Sequence, residues 1–138
     1  MGAGPIGLSL SILLSKLGFK IDLFEKRTWL DFSNPPDDTK VLGTTFTCRG
    51  YDVIKRTGLL DAYGVQMHGT EIHLANNSYK YLNGKGGEIF SSLNRDKLLK
   101  DLFDLAVSSE STVCYWGTKI ENVDAKRGEI QFEIEGIK

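Results

Sequence analysis

The pattern of apolar and polar positions divides the chain into helical and extended stretches. From Pro5 to Leu17, the residues Ile6, Leu10, Leu13, Leu14 and Leu17 recur at helical spacing and predict a helix. Pro5 suits its first turn, where a missing N–H costs no intrahelical bond. Gly18 is a C-terminal stop. Lys20–Glu25 then reads as a short strand. Thr28–Thr39, built around Asn34-Pro35-Pro36-Asp37-Asp38, reads as a loop whose acids Asp31, Asp37 and Asp38 are solvated. Val41–Cys48 leaves strand and helix both open. Arg49–Ala62 predicts a helix interrupted at Gly58. Glu71–Leu74 and Ser78–Leu82, joined through Asn76-Asn77, predict a hairpin with a tight turn, and Asn83–Gly87 is a glycine-rich loop. Asn94 caps a helix whose apolar face is Leu98, Leu99, Leu102, Phe103 and Ala106. Val113–Trp116 and Lys119–Val123 read as strands. After Gly128, in Glu129–Glu135, Ile130, Phe132 and Ile134 alternate with Glu129, Gln131, Glu133 and Glu135, which predicts one buried and one wet face. The mixture of helices and strands makes the expected fold class α/β.

Composition narrows the function classes. The 138 residues suffice for one domain with one core. Apolar residues at 41% and charged residues at 25% describe an ordinary globular chain. A net charge of −1 without a basic block argues against nucleic acid or an anionic membrane surface as partner. The apolar run Leu8–Leu17 is too short to span a bilayer. No basic residue precedes it and no small-residue cleavage site follows, so it is not read as a signal peptide. Met1-Gly2 lacks the Ser or Thr that myristoylation wants, because Ile6 stands there. Cys48 and Cys114 lie far apart and read as two reduced thiols of an intracellular protein. His68 and His73 have no further ligands at metal-site spacing, so no metal is expected.

The chemistry lies at the start of the chain. Gly2-Ala3-Gly4-Pro5-Ile6-Gly7 matches G-x-G-x-x-G. In such a turn the first glycine permits a tight bend. The second lets the backbone approach a pyrophosphate, and the third lets the helix pack closely on the sheet. The helix N-terminus then offers free N–H groups and the positive end of its dipole to phosphate. Glu25 ends the next strand, where an acid hydrogen-bonds the ribose hydroxyls of an adenine dinucleotide. Turn, helix, strand and acid together predict dinucleotide binding. A buried parallel strand is expected before the turn, but Met1 stands there, so the expected βαβ unit lacks its first strand.

Gly2 to Arg27 resembles the start of the class A flavoprotein monooxygenases, which carry Glu-x-Arg at the end of the second strand, here Glu25-Lys26-Arg27. Two later segments resemble the kynurenine 3-monooxygenase branch. One is Lys40-Val41-Leu42 with Cys48-Arg49-Gly50-Tyr51-Asp52-Val53-Ile54 and Gly58-Leu59-Leu60-Asp61; the other is Ser92-Leu93-Asn94-Arg95 with Leu98 and Leu102. Met67 and Ile72-His73 fit the strand between them. The resemblance implies a Rossmann-like FAD-binding domain with a β-rich insertion and with its first strand missing. Residues 1–138 are then a partial FAD-binding domain, the N-terminal portion of such an enzyme. It implies FAD as cofactor, NADPH as electron donor, and a small aromatic substrate, kynurenine, that is hydroxylated on its ring. It further implies that Gly2, Gly4, Ile6 and Gly7 hold the pyrophosphate. Glu25 would bind the adenosine ribose, with Phe24, Lys26 and Arg27 lining that pocket. Arg95 would reach the pyrophosphate or ribityl region, Ile120 would offer backbone contacts to adenine, and Thr45 would sit near the flavin.

Three positions depart from the family pattern. Lys40 replaces an Arg near the flavin, Thr70 replaces an Arg that grips the substrate carboxylate, and Asn83 falls near a substrate-contacting Tyr, with Tyr79 and Tyr81 close by. The family also continues into Gly-Asp motifs and a substrate domain beyond Lys138, so the chain alone is expected to lack hydroxylase activity. Attachment to the mitochondrial outer membrane is implied by resemblance only, through a region outside this chain. Two other readings are a non-catalytic remnant of such an enzyme and a fragment of a NAD-linked dehydrogenase, the latter opposed by Arg27 and the Arg95 helix.

Overall fold

The computed structural model describes residues 1–29, 33, 43–59, 64–82 and 90–134. In chain order its elements are α1 (Pro5–Ser15), β1 (Ile21–Glu25), β2 (Gly43–Phe46), α2 (Cys48–Thr57), β3 (Val65–Met67), β4 (Gly69–His73), β5 (Ser78–Leu82), β6 (Phe90–Asn94), α3 (Arg95–Val107), β7 (Thr112–Trp116), β8 (Thr118–Asp124) and β9 (Glu129–Ile134). The chain divides into two units, Met1–Lys40 with Leu99–Lys138, and Val41–Leu98. Most of the loop expected over 28–39, the glycine-rich loop expected at 83–87, and Lys40 lie outside the described residues.

In the first unit β1 and β7 run parallel, with Ile21 opposite Thr112 and Glu25 opposite Trp116. Strand alternation puts Ile21, Leu23 and Glu25 on one face with Thr112, Cys114 and Trp116. That face is closed: Ile21, Leu23 and Glu25 are buried, as are Leu8 and Ile12 of α1 and Leu99, Leu102, Phe103 and Ala106 of α3. Trp29, Phe103 and Trp116 form an aromatic cluster with centroids 5.2–5.3 Å apart. The Asp22 and Phe24 amides face the opposite edge of β1. There the Phe24 N–H donates to the Met1 carbonyl (2.6 Å) and the Met1 ammonium donates to the Asp22 carbonyl (3.4 Å), the pattern of a parallel bridge across from Leu23. Met1 therefore lies beside β1 on the edge away from β7, where the sequence led us to expect the end of a preceding strand.

The face that α1 turns inward differs from the expected one. Its buried residues are Leu8, Ser9, Ser11 and Ile12, while Ile6 and Leu17 are 84% and 73% exposed and Leu10 is also exposed. This helix is apolar nearly all round, so spacing alone cannot choose its face. The small Ser11, its hydroxyl bound to the Leu8 carbonyl at 2.8 Å, occupies the inward side. The helix ends at Ser15, three residues before Gly18, the stop expected from the sequence. With φ 84°, Gly18 takes the left-handed conformation that ends helices.

β8 and β9 form an antiparallel hairpin with a bulge between Ile120 and Asn122. Asp124 Oδ1 accepts from the N–H groups of Lys126 and Arg127 and shapes its turn. The alternation expected in this tail is present, but its apolar face is only partly covered: Ile130, Phe132 and Ile134 are exposed. On that side the Phe132 ring lies 5.5 Å from that of Phe24.

In the second unit β2, β6 and β3 form an antiparallel sheet in that order. Asn94, at the end of β6, caps α3, its Oδ1 accepting from Asp96 and Lys97 N–H at 2.9 and 3.0 Å. The expected face of α3 is the buried one, Leu98 included. α2 ends at Thr57, one residue before Gly58. The β4–β5 hairpin stands as its own two-stranded sheet. Its connection closes with Leu74 N–H donating to the Asn77 carbonyl (2.7 Å). The tight turn expected here is present, but no non-glycine residue described has positive φ, so it is not one of the primed types that hairpins favour.

Candidate functional site

The site is built where the glycine turn meets the end of β1. Gly4 is the N-cap of α1, and no side chain caps the helix there. The first N–H to find a helical partner is that of Leu8, which donates to the Gly4 carbonyl (2.9 Å). The N–H groups of Gly4, Ile6 and Gly7 have no partner among the described residues. No acidic side chain occupies the first turn. An uncapped, positively polarised helix end of this kind accepts an anion.

The three glycines do different things. A Cβ at Gly7 would run into the Gly2 carbonyl oxygen and lie 3.1 Å from its carbon, so this glycine lets the helix start close over the turn. A Cβ on Gly4 would meet nothing within 4 Å, so the space there is open to a ligand. Gly2 is not in the left-handed region, and a Cβ on it would lie 3.9 Å from Glu25 Oε2, an ordinary contact. The bend at Gly2 is therefore not one that only glycine can adopt.

Glu25 closes the arrangement. Its side chain is 8% exposed. Oε2 accepts from Ala3 N–H at 3.0 Å, across 22 residues of sequence. Oε1 accepts from Arg27 N–H at 3.1 Å and from Arg27 Nε at 2.9 Å. Burial would raise the carboxyl, but the Arg27 hydrogen bonds and charge, with the Ala3 N–H, outweigh it and hold the group below its ordinary range. Glu25 is thus an anion at neutral pH, one side of it tied to the turn and the other to Arg27. On the same face, the Cys114 thiol is pushed up to about 11 by burial and by the Glu25 charge, against the α-ammonium, which lowers it.

Lys26, Gly117, Lys119 and Glu133 line a cleft of about 310 Å³ just past β1. Gly117 N–H donates to the Arg27 carbonyl (3.0 Å) and ties this wall to the end of β1. The structure thus gathers Gly2, Gly4, Ile6, Gly7, Glu25, Lys26 and Arg27 around one strand end, and puts Ile120 one residue after Lys119. The Phe24 side chain takes the other face of β1, stacked on Tyr115 with centroids 5.2 Å apart and planes at 14°. In the second unit, Thr45 is an exposed residue of β2 opposite Ser92, and Arg95 is the exposed first residue of α3. Thr70 lines a separate cleft of about 370 Å³ with Gly69, Glu71, Lys80 and Tyr81. Lys40 and Asn83 are outside the described residues.

Sequence reasoning missed Ala3, Gly117, Lys119 and Glu133. Ala3 and Gly117 act through backbone N–H groups, which residue type does not advertise. Lys119 and Glu133 are cross-strand partners, a signal available only once the β8–β9 register is known.

A family model described as "FAD binding domain" matches residues 1–136. The kynurenine 3-monooxygenase of Legionella pneumophila (strain Corby) is 27% identical over 139 residues, covering 96% of this chain and 30% of the relative. That of Christiangramia forsetii is 27% identical over 134 residues, covering 94% and 29%. The chain thus spans about a third of the length of these relatives. Among solved structures, p-nitrophenol 4-monooxygenase PnpA from Pseudomonas putida DLL-E4 superposes with a TM-score of 0.69 at 16% identity, covering 89% of this chain and 32% of that one. The 2-methyl-3-hydroxypyridine-5-carboxylic acid oxygenase (mutant Y270A) gives 0.71 at 20% identity, covering 94% and 35%. No helix among the described residues is long and apolar enough to cross a membrane. The chain belongs to the FAD binding domain family, and its α/β architecture is the Rossmann-like fold of FAD-dependent monooxygenases.

Proposed function

We propose that the first unit holds the adenosine diphosphate end of FAD and that the chain is the FAD-binding portion of an NADPH-dependent aromatic-ring hydroxylase. The observation that carries this reading is the Ala3–Glu25 hydrogen bond, which places the acid beside the open N-terminus of α1. The N–H groups of Gly4, Ile6 and Gly7 would bind the pyrophosphate, with Gly2 in the turn, and Glu25 would accept from a ribose hydroxyl. Lys26, Arg27 and the Ile120 backbone would border the adenosine. Lys40, Thr45 and Arg95 would serve the flavin half, and Phe24 would contribute main-chain atoms, its ring being stacked on Tyr115.

When bound, FAD supplies the redox chemistry of hydroxylation, and the protein's part is to bind, orient and exclude water. The names of the relatives support a small aromatic substrate, with kynurenine as the specific candidate. Thr70 offers no cation to a substrate carboxylate, so a kynurenine carboxylate would need another donor.

Quenching of flavin fluorescence on titration with the chain tests the reading. Saturable quenching that NAD⁺ does not reverse is expected. Displacement of FAD by an equal concentration of NAD⁺ would favour a nicotinamide enzyme, and absence of any quenching would remove the proposal.

A further inference from the structure

The carboxylate that reads the ribose in the proposal above is already largely engaged by its own chain. An ionised carboxylate offers about four acceptor sites, two on each oxygen. Both sites of Oε1 are filled by Arg27, through its backbone N–H (3.1 Å) and Nε (2.9 Å). One site of Oε2 is filled by Ala3 N–H (3.0 Å). Among the described residues nothing fills the remaining site, on Oε2, next to the glycine turn. Arg27 also reaches the turn directly, its Nη2 donating to the Ala3 carbonyl at 3.4 Å. Its own carbonyl is held by Gly117 N–H, so the residue is fixed from both sides. The Arg27 side chain is only 36% exposed, which makes this contact sturdier than a surface ion pair.

We propose that Arg27 is a positioning residue: by occupying Glu25 Oε1 it turns Oε2 toward an incoming ribose hydroxyl and fastens the carboxylate to the glycine turn. The inference rests on the nucleotide reading for its ligand, but the hold of Arg27 on Glu25 can be tested without any ligand. Among the described residues, the charge that acts on Glu25 is that of Arg27. The helix α1 carries no titratable side chain. On β7 the facing group is Cys114, whose thiol at about 11 is neutral in the acid range. The α-ammonium of Met1, ahead of the turn, acts on Cys114. Among the described residues, Arg27 is therefore the principal cation acting on Glu25.

The test follows the Glu25 carboxyl carbon by NMR from about pH 2 to 7, in the whole chain and in R27A and R27K, alongside FAD affinity. In R27A the titration midpoint moves upward, because burial is left without the opposing hydrogen bonds, and FAD affinity falls about tenfold. R27K keeps the charge but not the planar Nε contact and recovers only part of both. A midpoint unmoved in both variants overturns the proposal, as does R27A binding FAD as tightly as the parent. A lowered melting temperature alone, which any structural role would produce, does not support it. If the parent chain binds no FAD yet the midpoint moves, the grip of Arg27 on Glu25 stands and the nucleotide reading falls.

Discussion

Gly4 and Gly7 separate ligand access from packing, and substituting each by alanine should split affinity from stability. At Gly7 the added Cβ would overlap the Gly2 carbonyl oxygen and approach its carbon to 3.1 Å. Both atoms are backbone, so neither can swing aside. The first turn of α1 must lift away from Gly2, disturbing the seats of Leu8 and Ile12, which are 0% and 3% exposed. Overpacking of this kind costs about 2–3 kcal/mol, or a fall of roughly 8–12 °C in melting temperature for a chain of this size. At Gly4 the Cβ meets nothing, and φ −87° with ψ 176° is extended backbone open to any residue. Alanine is a poorer N-cap than glycine but loses less entropy on folding, so G4A should change stability by under about 0.5 kcal/mol. Its methyl group would stand in the open space over the unpartnered N–H groups and keep a pyrophosphate away. An affinity loss of at least tenfold, about 1.4 kcal/mol, is expected. Thermal melts and FAD titrations on both variants give the answer. G4A that binds FAD like the parent would refute the placement of the pyrophosphate, and G7A that melts like the parent would refute the packing argument.

Other outcomes follow from single contacts. N94A removes the acceptor for Asp96 and Lys97 N–H and should cost about 1 kcal/mol, read as a drop in urea midpoint with unchanged slope. Cys114, half-buried with its thiol near 11, should resist a neutral alkylating agent at about pH 8 and react only in more alkaline solution; peptide mass spectrometry showing ready labelling of Cys114 at about pH 8 would contradict this. The Glu25 carboxyl is lower in the folded chain than in the unfolded one, so its stabilisation is full above the ordinary value of about 4.5 and is lost as pH falls through the folded value. E25Q should accordingly flatten the acid limb of the stability profile, and an unchanged limb would mean that the hydrogen bonds to Arg27 and Ala3 are absent in solution.

Much of this was legible in the sequence, for identifiable reasons. In α3 the apolar residues are separated by Asp96, Lys97, Lys100, Asp101 and Asp104, so only one face could be buried, and that face was found. The helix α1 has no charged residue between Pro5 and Ser15, and its pattern could not say which side meets the sheet. The β6 strand, Phe-Ser-Ser-Leu-Asn, is short and rich in small polar residues, and its pairing partners β2 and β3 are distant in sequence. The alternation of β9 was plain, but periodicity states which residues share a face and not whether anything covers it. At the site, the glycine turn and Glu25 were visible as residue types at a spacing. The hydrogen bonds of Glu25 to Ala3 and Arg27 were not, because they depend on rotamer and on backbone groups that every residue carries.

The central claim is that the turn at residues 2–7 and the end of β1 form one adenine-nucleotide site. The most direct measurement is the set of backbone amide shifts in the whole chain as FAD is added. The account predicts the largest changes at Ala3, Gly4, Ile6, Gly7, Glu25 and Arg27, saturating together. Saturable changes centred elsewhere, with these amides unmoved, would contradict it.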